Sequence, residues 1–424
     1  MSIFRAYLER QQPPVVSLHI PVEGDGSTLF VAIPCHDEPD LISSLQSLAD
    51  CDPPASGVTV IVVVNSSDQA PSEVLEHNEQ TIREVSDWWK SRPRPFYQLC
   101  LLQAATLPSK WAGVGWARKI AMDEAIRQLD QSGKEEGILI AFDADSTVSK
   151  NYFKSIETTF KKNPGYHFAN LSFSHPVDLP GLTPRLKEGI IRYELYLRYL
   201  RSAMQWCGYP HSIHTVGSSF AVKATSYIKQ GGMNRRKAGE DFHFLHKMVL
   251  LGDYGIITDA TVYPAARVSH RVPFGTGAAL KRWEEGDPEL YSAYSLKIFE
   301  TLQSLFIDPG FFFTTEQGIW EKRIGKFDPL LQNYLTSTDT LTRLVELKKN
   351  CADLRTFCKR FYHLVNAFWI IQYLNNCEKT EGGTANLVYE AYRLLKILQP
   401  NTPGKLSVRE MLEGYRRMDG TKST

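Results

Sequence analysis

The sequence predicts an α/β protein: a mostly parallel central sheet with helices on both faces, followed by an α-helical C-terminal region. Three observations carry that reading. Near-continuous apolar runs, LFVAIP (29–34), VTVIVVV (58–64), FYQLCLL (96–102) and ILIAF (138–142), are those of strands buried on both faces. Between them lie segments with helical spacing of apolar residues. The polar clusters HDEP, NSSD, SKWAGVG and DADS all follow the carboxyl ends of these runs, where open parallel sheets bind their ligands.

In order, residues 1–27 read as an irregular N-terminal extension, with Pro13-Pro14 and the turn-rich Glu23-Gly24-Asp25-Gly26-Ser27. Strand 29–34 leads to a helix over 40–51, in which Leu41, Leu45 and Leu48 share a face. Strand 58–64 is followed by a turn, NSSDQAP, and a long helix ending near Trp88-Trp89. Strand 96–102 precedes a helix over 116–129, and strand 138–142 ends in Asp143-Ala144-Asp145. Further on, 194–206 reads as a helix, 218–223 as a strand, and 241–252 as a helix closed by Gly252. Helical patterns dominate from about 288: 290–306, 341–350, 351–374 and 385–398. These readings divide the chain into an extension (1–27), an α/β domain (28–287) and an α-helical domain (288–424).

Composition excludes several classes. With 48 basic and 47 acidic residues, no basic field points to nucleic acid. Seven cysteines are an odd number without paired spacing, and Cys35 and Cys100 sit inside apolar runs, so free thiols in a reducing compartment are expected. The N-terminus lacks the apolar core of a signal peptide, and no apolar run is long enough to span a bilayer. A cytoplasmic protein without a transmembrane segment follows as the expectation. A homodimer and a peripheral membrane contact both stay open.

The Asp143/Asp145 pair poses the functional question. Aspartates often end strands because their side chains bond to backbone N–H groups of the turn. Two carboxylates at one strand end are also hard oxygen ligands suited to Mn²⁺ or Mg²⁺. The ordered set decides what to compare them with: Pro34-Cys35-His36-Asp37-Glu38-Pro39, Asn65-Ser66-Ser67-Asp68, Lys110 with Gly113-Val114-Gly115, Asp143-Ala144-Asp145, Gly217-Ser218-Ser219, Gly231-Gly232, Gly239-Glu240-Asp241, and Arg282-Trp283. That order, over roughly 28–285, resembles glycosyltransferase family 2 on the GT-A fold, whose members transfer sugars from nucleotide-diphospho-sugars.

The resemblance implies roles residue by residue. Pro34, His36 and Glu38 would lie at the nucleotide base, His36 where an aromatic commonly stacks and Glu38 where an acid commonly sits. Asn65 replaces the usual Asp that meets the base, and Asn offers a donor and an acceptor where Asp offers acceptors only. The base therefore stays open, with uridine the default. Lys110 and Gly113 would face phosphate at a helix N-terminus, and a plain turn into an amphipathic helix explains the glycines equally well; Arg118, one turn on, would reach phosphate or pair with Asp143. Gly217 would line the donor site. Asp145 would bind the metal directly, Asp143 would touch the ribose or reach the metal through water, and His270 in ARVSHRVPFGTG would be a late third ligand. Asp241, beside Glu240, would be the base that deprotonates an acceptor hydroxyl, although acids are favoured at a helix start on electrostatic grounds alone. Arg282 and Trp283 would contact phosphate and acceptor. The motif Q-x-x-R-W of processive synthases is incomplete, because Ala279 stands at the Gln position.

The implied function is metal-dependent transfer of a sugar, most simply from a UDP-sugar, to an unidentified hydroxyl acceptor with inversion. The alternatives are a retaining GT-A transferase of the mannosylglycerate or glucosyl-phosphoglycerate synthase type, and a module that binds sugar nucleotide without turnover. A nucleotidyltransferase is disfavoured because IPCHDEP has no glycine, and a dehydrogenase because the first strand-to-helix turn lacks G-x-G-x-x-G.

Overall fold

A nine-stranded mixed sheet organises the chain in the computed structural model, which describes residues 2–22, 26–91, 93, 95–269, 271, 275–381 and 384–420. Its strands are β1 (Ser17–Ile20), β2 (Ser27–Cys35), β3 (Gly57–Ser67), β4 (Gln98–Leu107), β5 (Ile138–Ala141), β6 (Thr147–Val148), β7 (Phe168–Phe173), β8 (Phe220–Lys223) and β9 (Tyr254–Tyr263). They lie in the order β1-β4-β3-β2-β5-β8-β7-β9-β6. The block β4-β3-β2-β5 is parallel, as the apolar runs predict, and β7 pairs parallel with β9. Only β1, β6 and β8 pair antiparallel with every neighbour they have. The fold class is therefore the expected one, an α/β sheet with most strands running one way.

The parallel block is buried on both faces, from Val60 to Val64 in β3 and from Leu29 to Ile33 in β2. Helices α2 (Leu41–Ala49), α3 (Ser72–Ser91) and α4 (Val114–Gln131) connect its strands; the preceding helix α1 (Ile3–Leu8) is N-terminal. Register sets Pro34 beside Val63 and Cys35 beside Val64, so the loops after β2 and β3 leave the sheet side by side. Further along come α5 (Tyr152–Lys162), α6 (Pro184–Trp206), α7 (Ala224–Lys229), α8 (Glu240–Met248) and α9 (Thr276–Glu284).

The N-terminal residues differ from the irregular lead-in that their prolines and glycines suggest. Ser17–Ile20 pair with β4 as an edge strand, and Ile3–Leu8 form a helix whose Tyr7 is buried. The Tyr7 hydroxyl donates to Asp123 Oδ1 at 2.8 Å and accepts from Lys119 Nζ at 2.8 Å, while Tyr227 donates to the same Asp123 oxygen. A buried Tyr–Lys–Asp–Tyr cluster thus ties the segment down, a tertiary effect invisible to local patterning.

The chain divides into two compact units. One comprises residues 1–190, 215–284 and 416–424 and contains the nine-stranded sheet; the other comprises 191–214 and 285–415. The second unit is helical apart from a two-residue ladder between Ser292–Ala293 and Ala385–Asn386. Its helices bury Phe299, Leu302, Leu335, Phe357, Phe361, Ile370 and Leu394. Two expected helices are interrupted: 290–306 takes in the end of a 3-10 turn (Pro288–Tyr291) and a two-residue strand before its α-helix begins at Leu296, and 351–374 breaks into Leu354–Leu364 and Ala367–Glu381. All seven cysteines are free thiols, and among the described residues no helix is long and apolar enough to cross a membrane.

Candidate active site

Side chains from five separate stretches meet at the carboxyl edge of the parallel block, in two charged clusters. At the end of β5, Phe142 N extends the ladder to Ala32 O at 3.1 Å, and Ser146 N closes a turn on Asp143 O at 3.1 Å. The Ser44 hydroxyl holds Ala144 O at 2.8 Å. Backbone and serine thus make the turn, and both aspartate side chains engage arginines distant in sequence.

The first cluster centres on Arg118, one turn into α4 and 1% exposed. Its Nη2 donates to Asp143 Oδ1 at 2.5 Å, and its Nη1 pairs with Glu240 Oε1. Glu240 and Asp241 open α8 after Gly239, which adopts the left-handed conformation (φ 68°) that glycine tolerates without strain. Glu240 is buried, and Asp241 accepts from its neighbour Phe242 N at 2.7 Å. Gly217 lies at the centre: a methyl group there would stand 3.1 Å from Arg118 Nη2, 3.4 Å from Asp241 Oδ2 and 3.5 Å from Asp143 Oδ2. Three carboxylates therefore share one guanidinium. Burial, reinforced by Glu240 and against the pull of Arg118, lifts the Asp241 carboxyl to about 8. Burial also raises Asp143, although Arg118 opposes it.

The second cluster joins the loops after β2 and β9. Glu38 is 4% exposed and takes one oxygen to Arg267 Nη2 at 2.5 Å and the other to Arg271 Nη1; Asp40 N adds a bond at 2.8 Å. Asp145 Oδ2 faces the same guanidiniums more loosely, 3.3 Å from Arg267 Nη2 and 3.5 Å from Arg271 Nη2. Burial, together with Asp143 and Glu38, raises Asp145 to about 6 in spite of both arginines. The turn carrying Glu38 has a left-handed Asp37 (φ 50°), whose N–H donates to the buried Asn78 side chain at 3.0 Å. Asn78 also donates to Asn65 O at 3.1 Å, which His36 Nδ1 meets at 2.8 Å.

The structure thus brings together Glu38, Arg118, Asp143, Asp145, Gly217, Glu240 and Asp241, with His36 and Asn65 alongside Glu38's turn. Others lie elsewhere in the framework. Gly113 and Gly115 are small because the loop before α8 packs on them: a Cβ at Gly113 would sit 2.7 Å from Lys237 Cα, and one at Gly115 2.4 Å from Arg236 O. Lys110 stands 5.0 Å over the Trp111 ring. Pro34 is buried in β2. Trp283 is buried against α6, its indole N–H bonded to Arg185 O at 2.7 Å, and Arg282 precedes it in the last turn of α9. His270 lies outside the described residues. Arg267 and Arg271 flank it and were missed as individual candidates; the basic character of ARVSHR was the available signal.

No protein-family model matches the chain, and no curated protein does. Among solved structures, residues 1–349 of S. aureus TarS in complex with UDP-GlcNAc align at 14% identity and TM-score 0.40, over 81% of this chain and 92% of that one. The same TarS fragment with UDP gives 14% and 0.36, over 80% and 92%. Identity and overlap at this level establish neither a family nor a substrate.

Proposed function

We propose that the sheet-bearing unit is a GT-A-type glycosyltransferase, of the family 2 kind its motifs resemble, that moves a sugar from a nucleotide-diphospho-sugar, a UDP-sugar by default, to a hydroxyl acceptor. The observation that carries this reading is the convergence of Asp143, Asp241 and Arg118 around Gly217 at the carboxyl edge of the sheet. A carboxylate with a raised proton affinity, beside a fixed cation, suits general-base work on a bound hydroxyl.

In this reading Asp241 Oδ2 takes the acceptor's proton as its oxygen attacks the anomeric carbon. The bond from that carbon to the diphosphate oxygen breaks, and the electron pair leaves with the diphosphate. Direct attack inverts the anomeric centre. Arg118 holds Asp143 and Glu240 in place, and its charge is committed to them. Loops after β2 and β3, with His36 and Asn65, are assigned to the base; Gly217 is assigned to the donor site, where Arg118, Asp143 and Asp241 close on its backbone. Lys110, Arg282 and the Gly113 turn remain candidates for outer contacts with phosphate or acceptor.

Asp143 and Asp145 are hard oxygen donors of the kind a divalent cation takes, and among the described residues no group of three His, Cys, Asp or Glu side chains completes a site on its own. Glu38, Asp143, Asp145, Glu240 and Asp241 face three guanidiniums, and burial, reinforced by neighbouring carboxylates, raises the proton affinity of Asp145 and Asp241. Asp143 and Asp145 would hold Mn²⁺ or Mg²⁺, with His270 the proposed third ligand. Such an ion supplies Lewis-acid stabilisation of the departing diphosphate.

The test is a thermal-shift series with UDP-, GDP-, ADP- and dTDP-sugars, with and without Mn²⁺, followed by assay of nucleoside diphosphate release. One nucleotide class should stabilise the protein, and Asp241→Asn should keep that stabilisation while losing release. No stabilisation by any class at millimolar ligand would overturn the proposal.

A further inference from the structure

The two clusters differ in how firmly their carboxylates are held, and the looser one has capacity to spare. Glu38 is buried, gives one oxygen to each guanidinium and is fixed by Asp40 N. Asp145 keeps about a quarter of its side chain exposed and meets the same guanidiniums at 3.3 and 3.5 Å. Arg267 Nε is buried without a hydrogen-bond partner among the described residues, and Asp40 Oδ2 lies 3.6 Å from it. Arg271 is braced by Ser269 Oγ on Nε at 3.0 Å and by His36 O near Nη1 at 3.5 Å. Planar guanidiniums offer paired donors that match phosphate oxygens. One carboxylate is thus an anchor, and the other a partner that can be exchanged.

Resting on the donor-site reading above, we propose that Glu38 is a positioning residue that holds Arg267 and Arg271 to receive the donor's diphosphate, and that in the free protein this pair is the counter-ion of Asp145, competing there with a divalent cation. Glu38 itself does not touch the base in this assignment, because both its oxygens are engaged. A diphosphate draws the guanidiniums away from Asp145 and leaves that carboxylate open to the cation. Cation and diphosphate therefore bind synergistically, and by linkage each raises the affinity of the other by the same factor.

Removing one arginine then has opposite effects on the two ligands, which a merely structural role does not produce. Calorimetric titration of the full chain with Mn²⁺ alone, with UDP in saturating Mn²⁺, and with uridine tests this on wild type, Arg271→Met and Glu38→Gln. Arg271→Met should bind Mn²⁺ alone about tenfold more tightly and UDP about tenfold more weakly, with uridine unchanged. Glu38→Gln, which leaves the guanidiniums to Asp145, with Asp40 the other acid beside Arg267, should weaken both Mn²⁺ alone and UDP. Arg271→Lys serves if the Met variant fails to fold; keeping the charge but losing the fork, it should leave Mn²⁺ binding unchanged and weaken UDP about threefold. Mn²⁺ affinity unchanged or lowered in Arg271→Met overturns the proposal, as does UDP affinity unaffected in both arginine variants while wild type binds UDP. Failure of wild type to bind UDP, or any other nucleoside diphosphate, with Mn²⁺ overturns the donor-site reading itself.

Discussion

The two clusters at the sheet edge are built from the same residue types and have different electrostatic characters. Around Arg118, three carboxylates share one buried guanidinium, and the acid left with least compensation, Asp241, keeps its proton up to about pH 8. Around Glu38, two guanidiniums serve Glu38 and Asp145, with the exposed Asp40 a third acid 3.6 Å from Arg267 Nε. An excess of buried acid creates a place to store or accept a proton. A cluster of paired guanidiniums with a donor to spare creates a place for an anion. Burial sharpens the first property, and partial exposure permits the second.

The largest effect expected from breaking this contrast falls on stability. Arg118→Met strands Glu240 and Asp143 without their shared cation and should cost about 3–5 kcal/mol, the range for breaking a buried pair; urea unfolding measures it. Next in size, Asp241→Asn should slow nucleoside diphosphate release about 10²–10⁴-fold. The same variant should melt higher than wild type at pH 9, by about 2–5 °C, and level with it near pH 4. The sign follows from the raised carboxyl: between its unfolded value of 3.8 and about 8, the folded protein holds a proton that the unfolded chain releases, so wild-type stability falls as pH rises through that window. For the same reason, the rate in wild type should climb as pH approaches 8, and that limb should vanish with the carboxylate.

Smaller changes sharpen the comparison. Gly217→Ala places a methyl 3.1 Å from Arg118 Nη2 and within 3.5 Å of both aspartates, so the first cluster must shift by a few tenths of an ångström. A rate loss of about tenfold with a stability cost of about 1 kcal/mol is expected, read from steady-state rates and chemical unfolding. Tyr7→Phe lies outside both clusters and removes one hydroxyl from the Lys119–Asp123 network. It should cost about 1–2 kcal/mol without altering the rate.

How much of this was legible in the sequence depends on the range of the interaction. The strands β2 to β5 were readable because burial on both faces leaves an unbroken apolar run, and the parallel order then placed HDEP, NSSD and DADS at one edge. The Asp143–Asp145 pair and Glu240-Asp241 stood out as acids at element ends. Arg267 and Arg271 did not, because their significance comes from Glu38, some 230 positions away. The reading of Gly113 and Gly115 as a phosphate turn is likewise joined by a second reason for glycine, the close approach of the 234–237 backbone. β1 went unseen because a four-residue edge strand with one buried side chain has almost no pattern to show.

The two clusters divide the labour, anion at one and proton at the other, and calorimetric titration of UDP in saturating Mn²⁺ into Asp145→Ala and Asp241→Asn separates them. Asp145→Ala should lose UDP affinity by more than about tenfold while Asp241→Asn stays within about twofold of wild type. Retained affinity in Asp145→Ala, with loss in Asp241→Asn, would contradict that division.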